Sequence, residues 1–547
     1  MGVQGLMMQM PLLVSSILEH AERHHGKTEV VSRRTEGDLH RTTFAGIAQR
    51  ARKLASALEK TGVQAGENVA TLAWNNYRHL EIYYGVSGMG AVTHTLNPRY
   101  SPQQLIYILN HAKNKTVFFD TTFAPLVKGI AEHCPTVERW VMMVDKDKMP
   151  AELPVSNTEN YEDLIEQGDE SYVWPRFDEN TACALCYTSG TTGNPKGVLY
   201  SHRSTVLHAM IAATPDAIGL SRKDTVLPVV PMFHVNAWGL PYGALMTGSK
   251  LVFPGPALDG ASLYSLMEEE KVTLAAGVPT IWLLLLNHVA ENKLKFSTFN
   301  RTVIGGAALP ISMIKALDEL GVKVMQGWGM TEMSPLGTIS KVGGSDLDLP
   351  KEQQYQIIAK QGRALFGVDM KIVDEEGDDL PWGGEQAGEL LVRGPWIVDH
   401  YYGGDGEKAF SQDQAGKRWF ATGDVSKIST DGVMQITDRS KDVIKSGGEW
   451  ISSIDLENIA MSHPAVQEAA VVAVNHEKWT ERPLLIVVKK PNQEVSRDEL
   501  LKFYDGKIVK MYIPDDVVFL DELPHGATGK VQKLKLREQF KDHTLPN

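Results

Sequence analysis

The chain has 547 residues, 43% of them hydrophobic and 22% charged, a composition typical of a soluble globular protein too long for a single hydrophobic core. Its formal net charge of −12 argues against nucleic acid and against an anionic membrane as standing partners. The three cysteines predict a reducing compartment and no disulfide framework.

The N-terminal segment is apolar, but it does not have the pattern of a targeting signal. It lacks a basic region and a small-residue cleavage site, and Leu6 breaks the myristoylation pattern. The longest apolar run, Ile281–Leu286, is far shorter than the roughly 20 residues that span a bilayer. We therefore expect a cytoplasmic protein without stable membrane insertion. We also expect an apolar N-terminal helix that can pack on a second subunit, with the residues Met7, Met8, Met10, Leu12 and Leu13.

Short apolar runs alternate with amphipathic stretches between about Thr42 and Phe299. This alternation is typical of α/β layers with largely parallel sheets. The predicted strands of this region are Asn68–Ala73, Thr116–Phe119, Ala182–Thr188, Asp224–Val229, Lys250–Phe253 and Thr273–Ala276. The predicted helices are Phe44–Thr61, Gln103–Asn110, Ser201–Ala213 and Ile281–Glu291.

The pattern changes at about residue 366, where short alternating strands are separated by Gly/Asp turns. These strands predict a small antiparallel, barrel-like subdomain over residues 366–438. A charge-rich stretch follows, and we interpret residues 439–445 as a solvated hinge. The pattern of the remaining residues, 446–547, predicts a smaller mobile α+β domain. The sequence thus predicts an α/β protein with a large N-terminal domain, residues 1–438, and a separate C-terminal domain.

The segment Tyr187–Gly197, with the sequence YTSGTTGNPKG, has the composition of a phosphate-binding loop. It follows an apolar, strand-like run, its glycines let backbone N–H groups approach a polyanion, and its hydroxyls can donate to phosphate oxygens. It is not a Walker A loop, and a plain Ser/Thr/Gly surface loop is the alternative. The residues that we assign to phosphate are Thr188, Ser189, Gly190, Thr191, Thr192, Gly193 and Lys196.

This loop and six further motifs in the same order resemble the adenylate-forming superfamily, which includes acyl-CoA synthetases, luciferases and peptide-synthetase adenylation domains. The further motifs are PMFHVNAW (231–238), GGAALP (305–310), GWGMTE (327–332), TGD (422–424), DRSKDVIKSGGEWIS (438–452) and LPHGATGK (523–530). The resemblance covers nearly the whole chain. Segments 94–112 and 229–242 resemble the branch of fatty-acid–CoA ligases that also holds bacterial 3-methylmercaptopropionate–CoA ligases.

The resemblance implies a ligase with two half-reactions. A carboxylate attacks the α-phosphorus of ATP to give an acyl-adenylate and pyrophosphate, and the thiol of CoA then displaces AMP. Catalysis requires only that the reactants are positioned and that charge at the phosphorus is neutralised, because the carboxylate is already a nucleophile. The implied acid is short or medium in chain length, such as 3-methylmercaptopropionate, with a medium- or long-chain fatty acid as the alternative. Mg²⁺, ATP and CoA are the implied small-molecule partners, and relatives of this kind imply a homodimer.

The resemblance also assigns roles at the nucleotide. Glu332 matches the glutamate that ligates Mg²⁺ with help from Thr188, which suits a cation that takes few protein ligands. Trp328 matches an aromatic residue against the adenine. The alternatives are a solvated loop carboxylate for Glu332 and plain core packing for Trp328. In GGAALP, small residues let the backbone approach a nucleotide or an acyl chain. The remaining residues that the resemblance implies at the nucleotide are Gly306, Ala307, Gly327, Gly329, Met330 and Thr331.

For the acid, His234 resembles the family's histidine at the junction of substrate carboxylate and α-phosphate, although a lone histidine is more often structural. Trp238 looks like a gate between the nucleotide site and the acyl tunnel. The predicted acid-contacting residues are His234, Trp238, Gly306 and Gly329. Amino-acid-activating relatives place an aspartate in this motif, and residues 233–236 have none, which favours an uncharged acyl tail.

Several C-terminal residues complete the implied site. Asp424 can accept hydrogen bonds from the ribose hydroxyls, and Arg439 can reach the ribose or a phosphate, although TGD alone would be a β-turn. Lys530 lies in a mobile Gly/Thr loop and matches the lysine that bridges carboxylate and α-phosphate during adenylation. Its alternative is a solvated tail lysine. The residues implied at the hinge or beside CoA are Lys441, Lys445, Gly447, Gly448 and Trp450.

Other functions remain open on the sequence alone. They are activation of an arylpropenoic acid, luciferase chemistry, adenylation for a carrier protein, and non-catalytic nucleotide binding. No carrier segment follows Asn547, and the retained Glu332, His234 and Lys530 argue against a non-catalytic protein. Cys183 and Cys186 form a C-x-x-C pair, but residues three apart on a strand point to opposite faces, so we expect buried thiols.

Overall fold

The structure is a computed structural model, and it describes residues 5–188, 194–446, 449–476, 478–525 and 531–546, apart from the side chains of 449 and 450. The chain divides into two compact units. The first unit is formed by Met1–Val303, Gly329–Gly337 and Pro395–Glu407. The second unit is formed by Ile304–Trp328, Thr338–Gly394 and Lys408–Asn547.

The α-helices of the described residues, in chain order, are α1 (Val14–His25), α2 (Phe44–Lys60), α3 (Tyr77–Gly88), α4 (Pro102–His111), α5 (Ala124–Ile130), α6 (Tyr161–Glu166), α7 (His202–Ala212), α8 (Val235–Trp238), α9 (Leu240–Thr247), α10 (Gly260–Glu269), α11 (Pro279–Glu291), α12 (Ile311–Glu319), α13 (Lys351–Ile358), α14 (Ser453–Met461), α15 (Arg497–Phe503) and α16 (Lys533–Gln539). Over the described residues, no helix is long and apolar enough to cross a membrane.

The β-strands of the described residues, in chain order, are β1 (Glu29–Arg33), β2 (Leu39–Thr43), β3 (Asn68–Leu72), β4 (Val92–Thr95), β5 (Thr116–Asp120), β6 (Arg139–Met143), β7 (Thr158–Asn160), β8 (Ala182–Tyr187), β9 (Gly197–Ser201), β10 (Thr225–Pro228), β11 (Lys250–Phe253), β12 (Leu274–Gly277), β13 (Arg301–Gly305), β14 (Lys323–Gly329), β15 (Leu336–Ser340), β16 (Arg363–Ala364), β17 (Asp369–Val373), β18 (Gly388–Arg393), β19 (Phe410–Gln412), β20 (Arg418–Ile428), β21 (Met434–Arg439), β22 (Ile444–Ser446), β23 (Glu449–Ile451), β24 (Val466–His476), β25 (Thr480–Lys489) and β26 (Asp516–Phe519).

A seven-stranded sheet in the first unit carries the start of the predicted phosphate loop, Tyr187–Gly197. Its strand order is β7-β6-β5-β3-β4-β8-β9, and every adjacent pair is parallel except β8 with β9. Strand β8 has the continuous apolar sequence of a strand covered on both faces, and all of it except Ala182 is buried. The loop therefore leaves the carboxyl end of an interior strand next to the edge strand β9, and α/β proteins commonly bind ligands at such strand ends.

A second group of strands in the first unit leads to the predicted acid-binding motif. Its order is β12-β10-β11-β1-β2, parallel except for the β1–β2 pair. Strand β10 ends at Pro228, and the chain then continues into the segment that contains His234. Two backbone bonds tie the start of that segment to β12, since the N–H groups of Val229 and Val230 both donate to the Ala276 oxygen.

The second unit contains two sheets, an antiparallel one in the predicted β-rich subdomain and a mixed one in the predicted α+β region. One has the order β17-β18-β20-β19, with β21 paired to β20. The other has the order β23-β22-β25-β24, with β26 parallel to β25. Helices α14 and α15 flank the latter sheet around a core that includes Leu456, Val471, Leu485 and Leu500. The α/β class with a β-rich subdomain and an α+β terminal region is confirmed.

The predicted N-terminal helix is wrong in its position. Helix α1 begins at Val14, so the apolar residues expected in it precede the helix. Pro11 explains this difference, because proline lacks an N–H group and disfavours the helical conformation of the residue before it. Met7, Met8 and Met10 are exposed in this structure.

The predicted hinge lies within the second unit, and its division from the rest of the chain stays a prediction. A buried carboxylate directly precedes this stretch. Asp438 is fully buried, and its carboxylate accepts the backbone N–H groups of Arg439 and Ser453 at 2.7 and 2.6 Å. Burial raises the pKa of Asp438, although the nearby Lys533 and these hydrogen bonds act to lower it.

Candidate active site

The predicted phosphate loop connects two neighbouring strands, β8 and β9, which pair with each other. Tyr187 of β8 lies opposite Gly197 of β9, and the N–H of Thr188 donates to the Lys196 oxygen at 2.9 Å. These contacts bring the two predicted phosphate residues Thr188 and Lys196 together at the base of the loop. The predicted residues between them, Ser189, Gly190, Thr191, Thr192 and Gly193, lie outside the described residues.

The predicted metal ligand Glu332 is held by a tyrosine that the sequence analysis missed. Its Oε1 accepts a 2.6 Å hydrogen bond from the hydroxyl of Tyr401, and both side chains are buried. The backbone oxygen of Glu332 accepts the N–H of Val398 at 2.8 Å. A carboxylate that accepts a short O–H bond is fixed in direction as well as in place. Burial and Glu332 together raise the pKa of the Tyr401 phenol, so it stays protonated as a donor.

Tyr401 also contacts the predicted phosphate lysine. The Lys196 ammonium lies 5.0 Å from the centroid of the Tyr401 ring, within the range of a cation–π interaction. The phenol and the ring of one residue thus contact the candidate metal carboxylate and the candidate phosphate cation. No local sequence pattern marks Tyr401, since it lies in an irregular segment after Gly394 and is separated from Glu332 by 69 positions.

The backbone around Glu332 requires a glycine. A Cβ atom at Gly329 would lie 1.8 Å from the Pro335 oxygen, so no larger residue fits there. The N–H of Met330 donates to the same oxygen at 3.0 Å, and the oxygen of Thr331 accepts the Tyr200 hydroxyl at 2.6 Å. The predicted residues Gly329, Met330 and Thr331 therefore form a tight, anchored turn that presents Glu332.

The segment before His234 is fixed by one buried amide, that of Asn75. Its Nδ2 donates to the oxygens of Pro228 and Val230 at 2.8 and 2.9 Å, and its Oδ1 accepts the Met232 N–H at 2.5 Å. The Met232 oxygen accepts the hydroxyl of Tyr83. Sequence reasoning missed Asn75 because its partners lie more than 150 positions away.

His234 and Trp238 lie at the two ends of one short turn. His234 is partly buried, and its N–H donates to the Pro231 oxygen at 3.1 Å. Trp238 is buried at the other end of the turn, next to Gly239. The structure thus places the predicted carboxylate-binding residue and the predicted gate four positions apart within one compact feature of the first unit.

In the second unit, three predicted nucleotide residues form a cluster. The indole N–H of Trp328 donates to Asp424 Oδ2 at 3.0 Å, and Asp424 Oδ1 lies 2.8 Å from Arg439 Nε. Asp424 and Arg439 are opposite each other on β20 and β21. The carboxylate is 1% exposed, whereas the Arg439 side chain is 44% exposed. The arginine is therefore accessible to a solvent-side ligand, while the carboxylate is fixed by its neighbours.

The small residues of GGAALP also lie in the second unit. Strand β13 ends at Gly305, and Gly306 follows with φ of 82°, a left-handed conformation that favours glycine. Gly306 and Ala307 are exposed, so their backbone groups are accessible. Gly327 precedes Trp328 on β14 and is partly buried.

The predicted hinge and CoA residues lie on or beside β22. Lys441 is exposed, and its backbone oxygen accepts Arg537 Nη1 at 3.1 Å. Lys445 is exposed on β22, and its ammonium pairs with Glu375 at 2.7 Å. Trp450 lies on β23 opposite Lys445. Three further predicted site residues, besides those of the phosphate loop, lie outside the described residues, namely Gly447, Gly448 and Lys530.

The residues around Glu332 fit a magnesium ion that is shared with a nucleotide. In the part of the chain that the structure describes, no three His, Cys, Asp or Glu side chains group together to hold a metal. Mg²⁺ in nucleotide sites takes one or two carboxylates and completes its shell with phosphate and water oxygens. A single buried carboxylate, oriented by the Tyr401 hydroxyl, is a protein ligand of that kind.

The C-x-x-C pair supplies no reactive thiol to this site, and the prediction of buried thiols is confirmed. Cys183 and Cys186 are free and buried, and burial raises the pKa of the two thiols to about 12 and about 11. The Cys183 thiol lies 3.2 Å from the Thr205 hydroxyl. Neither thiol is poised to act as a nucleophile.

The chain matches two family profiles in the order expected for this architecture. The profile described as AMP-binding enzyme matches residues 17–402, and the profile described as AMP-binding enzyme C-terminal domain matches residues 455–530. The chain belongs to the AMP-binding enzyme family.

Similar proteins match over nearly the full length. The 3-methylmercaptopropionyl-CoA ligase of Ruegeria lacuscaerulensis is 54% identical, over 98% of this chain and 99% of its own. The medium-chain-fatty-acid–CoA ligase of Ectopseudomonas oleovorans is 50% identical, over 99% and 98%. Among solved structures, the anthranilate CoA ligase AuaEII in complex with anthranoyl-AMP superposes with a TM-score of 0.85 at 25% identity, over 98% of both chains.

Proposed function

We propose that this protein is an AMP-forming acid–CoA ligase that acts on 3-methylmercaptopropionate. The single observation that carries the proposal is the 54% identity over nearly the full length to a 3-methylmercaptopropionyl-CoA ligase. A second relative of that name, from Ruegeria pomeroyi, is 53% identical over the same span. The second candidate substrate is a medium-chain fatty acid, because a ligase of that class is 50% identical.

In the first half-reaction, the first unit would bind the phosphates and align the acid. Glu332 and Thr188 would hold Mg²⁺, which when bound neutralises charge on the phosphates. Lys196 and the loop donors would bind the phosphate oxygens, and His234 would donate to the oxygen of the acid or of the α-phosphate. Tyr401 would keep the Glu332 carboxylate in one orientation, which its 2.6 Å hydrogen bond supports.

The second unit would bind the nucleoside. Asp424 would accept hydrogen bonds from the ribose hydroxyls, with Arg439 beside it. Trp328 would present its ring to the adenine while its N–H holds the Asp424 carboxylate, an arrangement that the 3.0 Å contact supports. The exposed backbone of Gly306 and Ala307 would contact the nucleotide or the acyl chain.

The second half-reaction would use residues near the predicted hinge. Lys441 would be the residue about which residues 446–547 turn, and Lys530 would leave the reacting phosphate after adenylation. The residues that we propose beside CoA are Lys445, Gly447, Gly448 and Trp450. A cytoplasmic homodimer is part of the proposal. The location rests on the targeting and apolar patterns of the sequence, and the dimer rests on the resemblance alone.

A turnover assay tests the function directly. The purified protein is mixed with ATP, Mg²⁺, CoA and one acid from a panel of 3-methylmercaptopropionate, butyrate, octanoate and palmitate. We expect pyrophosphate, AMP and acyl-CoA in equal amounts, with the largest kcat/KM for 3-methylmercaptopropionate. A larger kcat/KM for octanoate would make a medium-chain fatty acid the proposed substrate in place of 3-methylmercaptopropionate. Absence of pyrophosphate with every acid, from protein that is folded by circular dichroism, would reject the ligase.

A further inference from the structure

A rare backbone conformation lies between His234 and Trp238. Val235, Asn236, Ala237 and Trp238 have φ angles of 47, 51, 50 and 57°, and Gly239 follows at 75°. Left-handed backbone brings the Cβ of an L-residue close to the following carbonyl oxygen, so it occurs as single residues and seldom as a run. Four consecutive non-glycine residues in this region require contacts that hold them there.

The side chain of Asn236 supplies two of these contacts. Its Oδ1 accepts the Cys186 thiol at 3.1 Å, and its Nδ2 donates to the Tyr242 hydroxyl at 3.2 Å. All three side chains are buried. Cys186 lies on β8 and Tyr242 on α9, so the amide ties the middle of the turn to two separate elements.

Backbone contacts close the turn without replacing this tether. The N–H of Ala237 donates to the His234 oxygen at 3.2 Å, and the N–H of Gly239 donates to the Asn236 oxygen at 3.1 Å. A Cβ at Gly239 would lie 2.8 Å from His208 Nδ1, so the turn passes directly over that ring. Asparagine also tolerates left-handed backbone better than the valine, alanine and tryptophan that make up the rest of this turn.

We propose that Asn236 is a positioning residue for acid selection. Its amide holds the strained turn and thereby fixes where the Trp238 ring lies relative to His234. The inference rests on the proposed function, since it takes the acid to be bound between these two residues. Without the tether the turn relaxes toward ordinary backbone angles, the indole shifts, and the site discriminates less between acids.

The test separates the strain from the tether. Asn236→Ala removes the tether and keeps a Cβ in left-handed backbone, whereas Asn236→Gly removes the tether and relieves the strain. Tyr242→Phe removes one hydrogen-bond partner and leaves the backbone residue unchanged. Lys271→Gly is the matched control, because Lys271 has φ of 55° at an exposed position after α10. Trp238→Ala removes the indole itself, so it gives the largest change in acid preference with which the other variants are compared.

The measurement is the ratio of kcat/KM for 3-methylmercaptopropionate to that for the bulkier 3-phenylpropionate, together with KM for ATP. We expect Asn236→Ala to lower the ratio about tenfold, with a smaller loss in Asn236→Gly and Tyr242→Phe, because pocket contacts with a few carbon atoms are worth factors of about 10–200. KM for ATP stays within about twofold of the wild-type value, which a general loss of structure would not allow.

Unchanged ratios in the folded Asn236 variants, with a changed ratio in Trp238→Ala, overturn the inference and leave the ligase standing. If Asn236→Ala does not fold, the ratios of Asn236→Gly and Tyr242→Phe decide in the same way. A ratio that also falls in Lys271→Gly overturns the inference, because the effect would not be specific to this turn. No turnover in the wild-type protein is a failure of the proposed function instead, and it is seen before any variant is made.

Discussion

Tyr401 and Glu332 are joined by a 2.6 Å hydrogen bond from the phenol to the carboxylate, with both side chains buried. The bond fixes one of the two carboxylate oxygens, so the direction in which Glu332 can bind a cation is set before any ligand arrives. Partners of this kind, which touch a metal ligand but not the metal, commonly decide metal affinity.

The Tyr401→Phe variant should bind Mg²⁺·ATP about tenfold more weakly, because loss of an outer-shell partner typically costs 10- to 100-fold in metal affinity. Glu332→Gln should show a larger loss, since it removes the charge of the ligand itself. Isothermal titration with Mg²⁺ and a non-hydrolysable ATP analogue measures both effects without turnover.

Tyr402→Phe is the control for that experiment, because the hydroxyl of this neighbouring tyrosine lies 3.4 Å from the Asn68 amide. Its affinity for Mg²⁺·ATP should equal that of the wild type. An equal loss in both tyrosine variants would assign the effect to packing of the segment rather than to the hydrogen bond.

Lys530→Ala should abolish formation of the acyl-adenylate and spare thioester formation from preformed acyl-adenylate and CoA. The reason is that a cation is needed where negative charge develops at the α-phosphate, and not when the thiol displaces AMP. Single-turnover analysis of each half-reaction measures the effect. Lys541→Ala, at an exposed position near the C-terminus, is the control. ATP–pyrophosphate exchange at the wild-type rate would remove Lys530 from the mechanism.

Asn75→Ala should lower the free energy of unfolding by about 3 kcal/mol, because it strands the Met232 N–H and the oxygens of Pro228 and Val230 in a buried place. Urea denaturation followed by fluorescence gives the value. Asn157→Ala is the control, since its amide is exposed and donates one 3.3 Å bond to the Glu138 oxygen. A loss below about 1 kcal/mol would mean that the segment before His234 holds its shape without this amide.

Stability should fall on mild acidification, in part through His208. Burial lowers the pKa of His208 from 6.5 to about 4, and its Nε2 accepts the Leu336 N–H at 3.2 Å. Between these two pKa values the unfolded chain takes up a proton that the folded chain does not. The free energy of unfolding therefore falls with pH in this window, by about 2 kcal/mol at pH 5 from this histidine.

His208→Gln tests that assignment, because an amide oxygen can still accept the Leu336 N–H but does not titrate. Its loss of unfolding free energy between pH 7.5 and pH 5 should be smaller than that of the wild type. His400→Gln, at an exposed position, should leave the wild-type slope unchanged. If His208→Gln also keeps that slope, the histidine is not buried as the structure shows.

Much of the fold follows from local sequence patterns. Strand β8 ends within one residue of its prediction, because a continuous apolar run followed by glycines and hydroxyls has few other solutions. Helix α2 likewise ends within one residue, since its apolar residues repeat at helical spacing. The predicted position of the N-terminal helix was wrong, because the prediction rested on apolar composition and did not take Pro11 into account.

The contacts that hold the candidate site were not predictable in this way. Trp328 and Asp424 are separated by 96 positions and Glu332 and Tyr401 by 69, so no window of sequence contains either pair. The motifs marked Glu332 and Asp424 but not the residues that orient them. The left-handed run at 235–238 has no compositional signal either, because glycine, the usual mark of such backbone, appears only at its end.

The position of Tyr401 along the chain has a consequence for synthesis on the ribosome. The predicted phosphate loop emerges early, yet the side chain that contacts both Lys196 and Glu332 follows it by about two hundred residues, and chains are synthesised from the N-terminus at about 5–20 residues per second. For roughly ten seconds or more the growing chain holds a phosphate loop without its tyrosine. During that interval the Lys196 ammonium lacks the ring contact that it has in the complete protein, and the nascent first unit depends on the hydrophobic core of its earlier residues until residues 395–407 arrive.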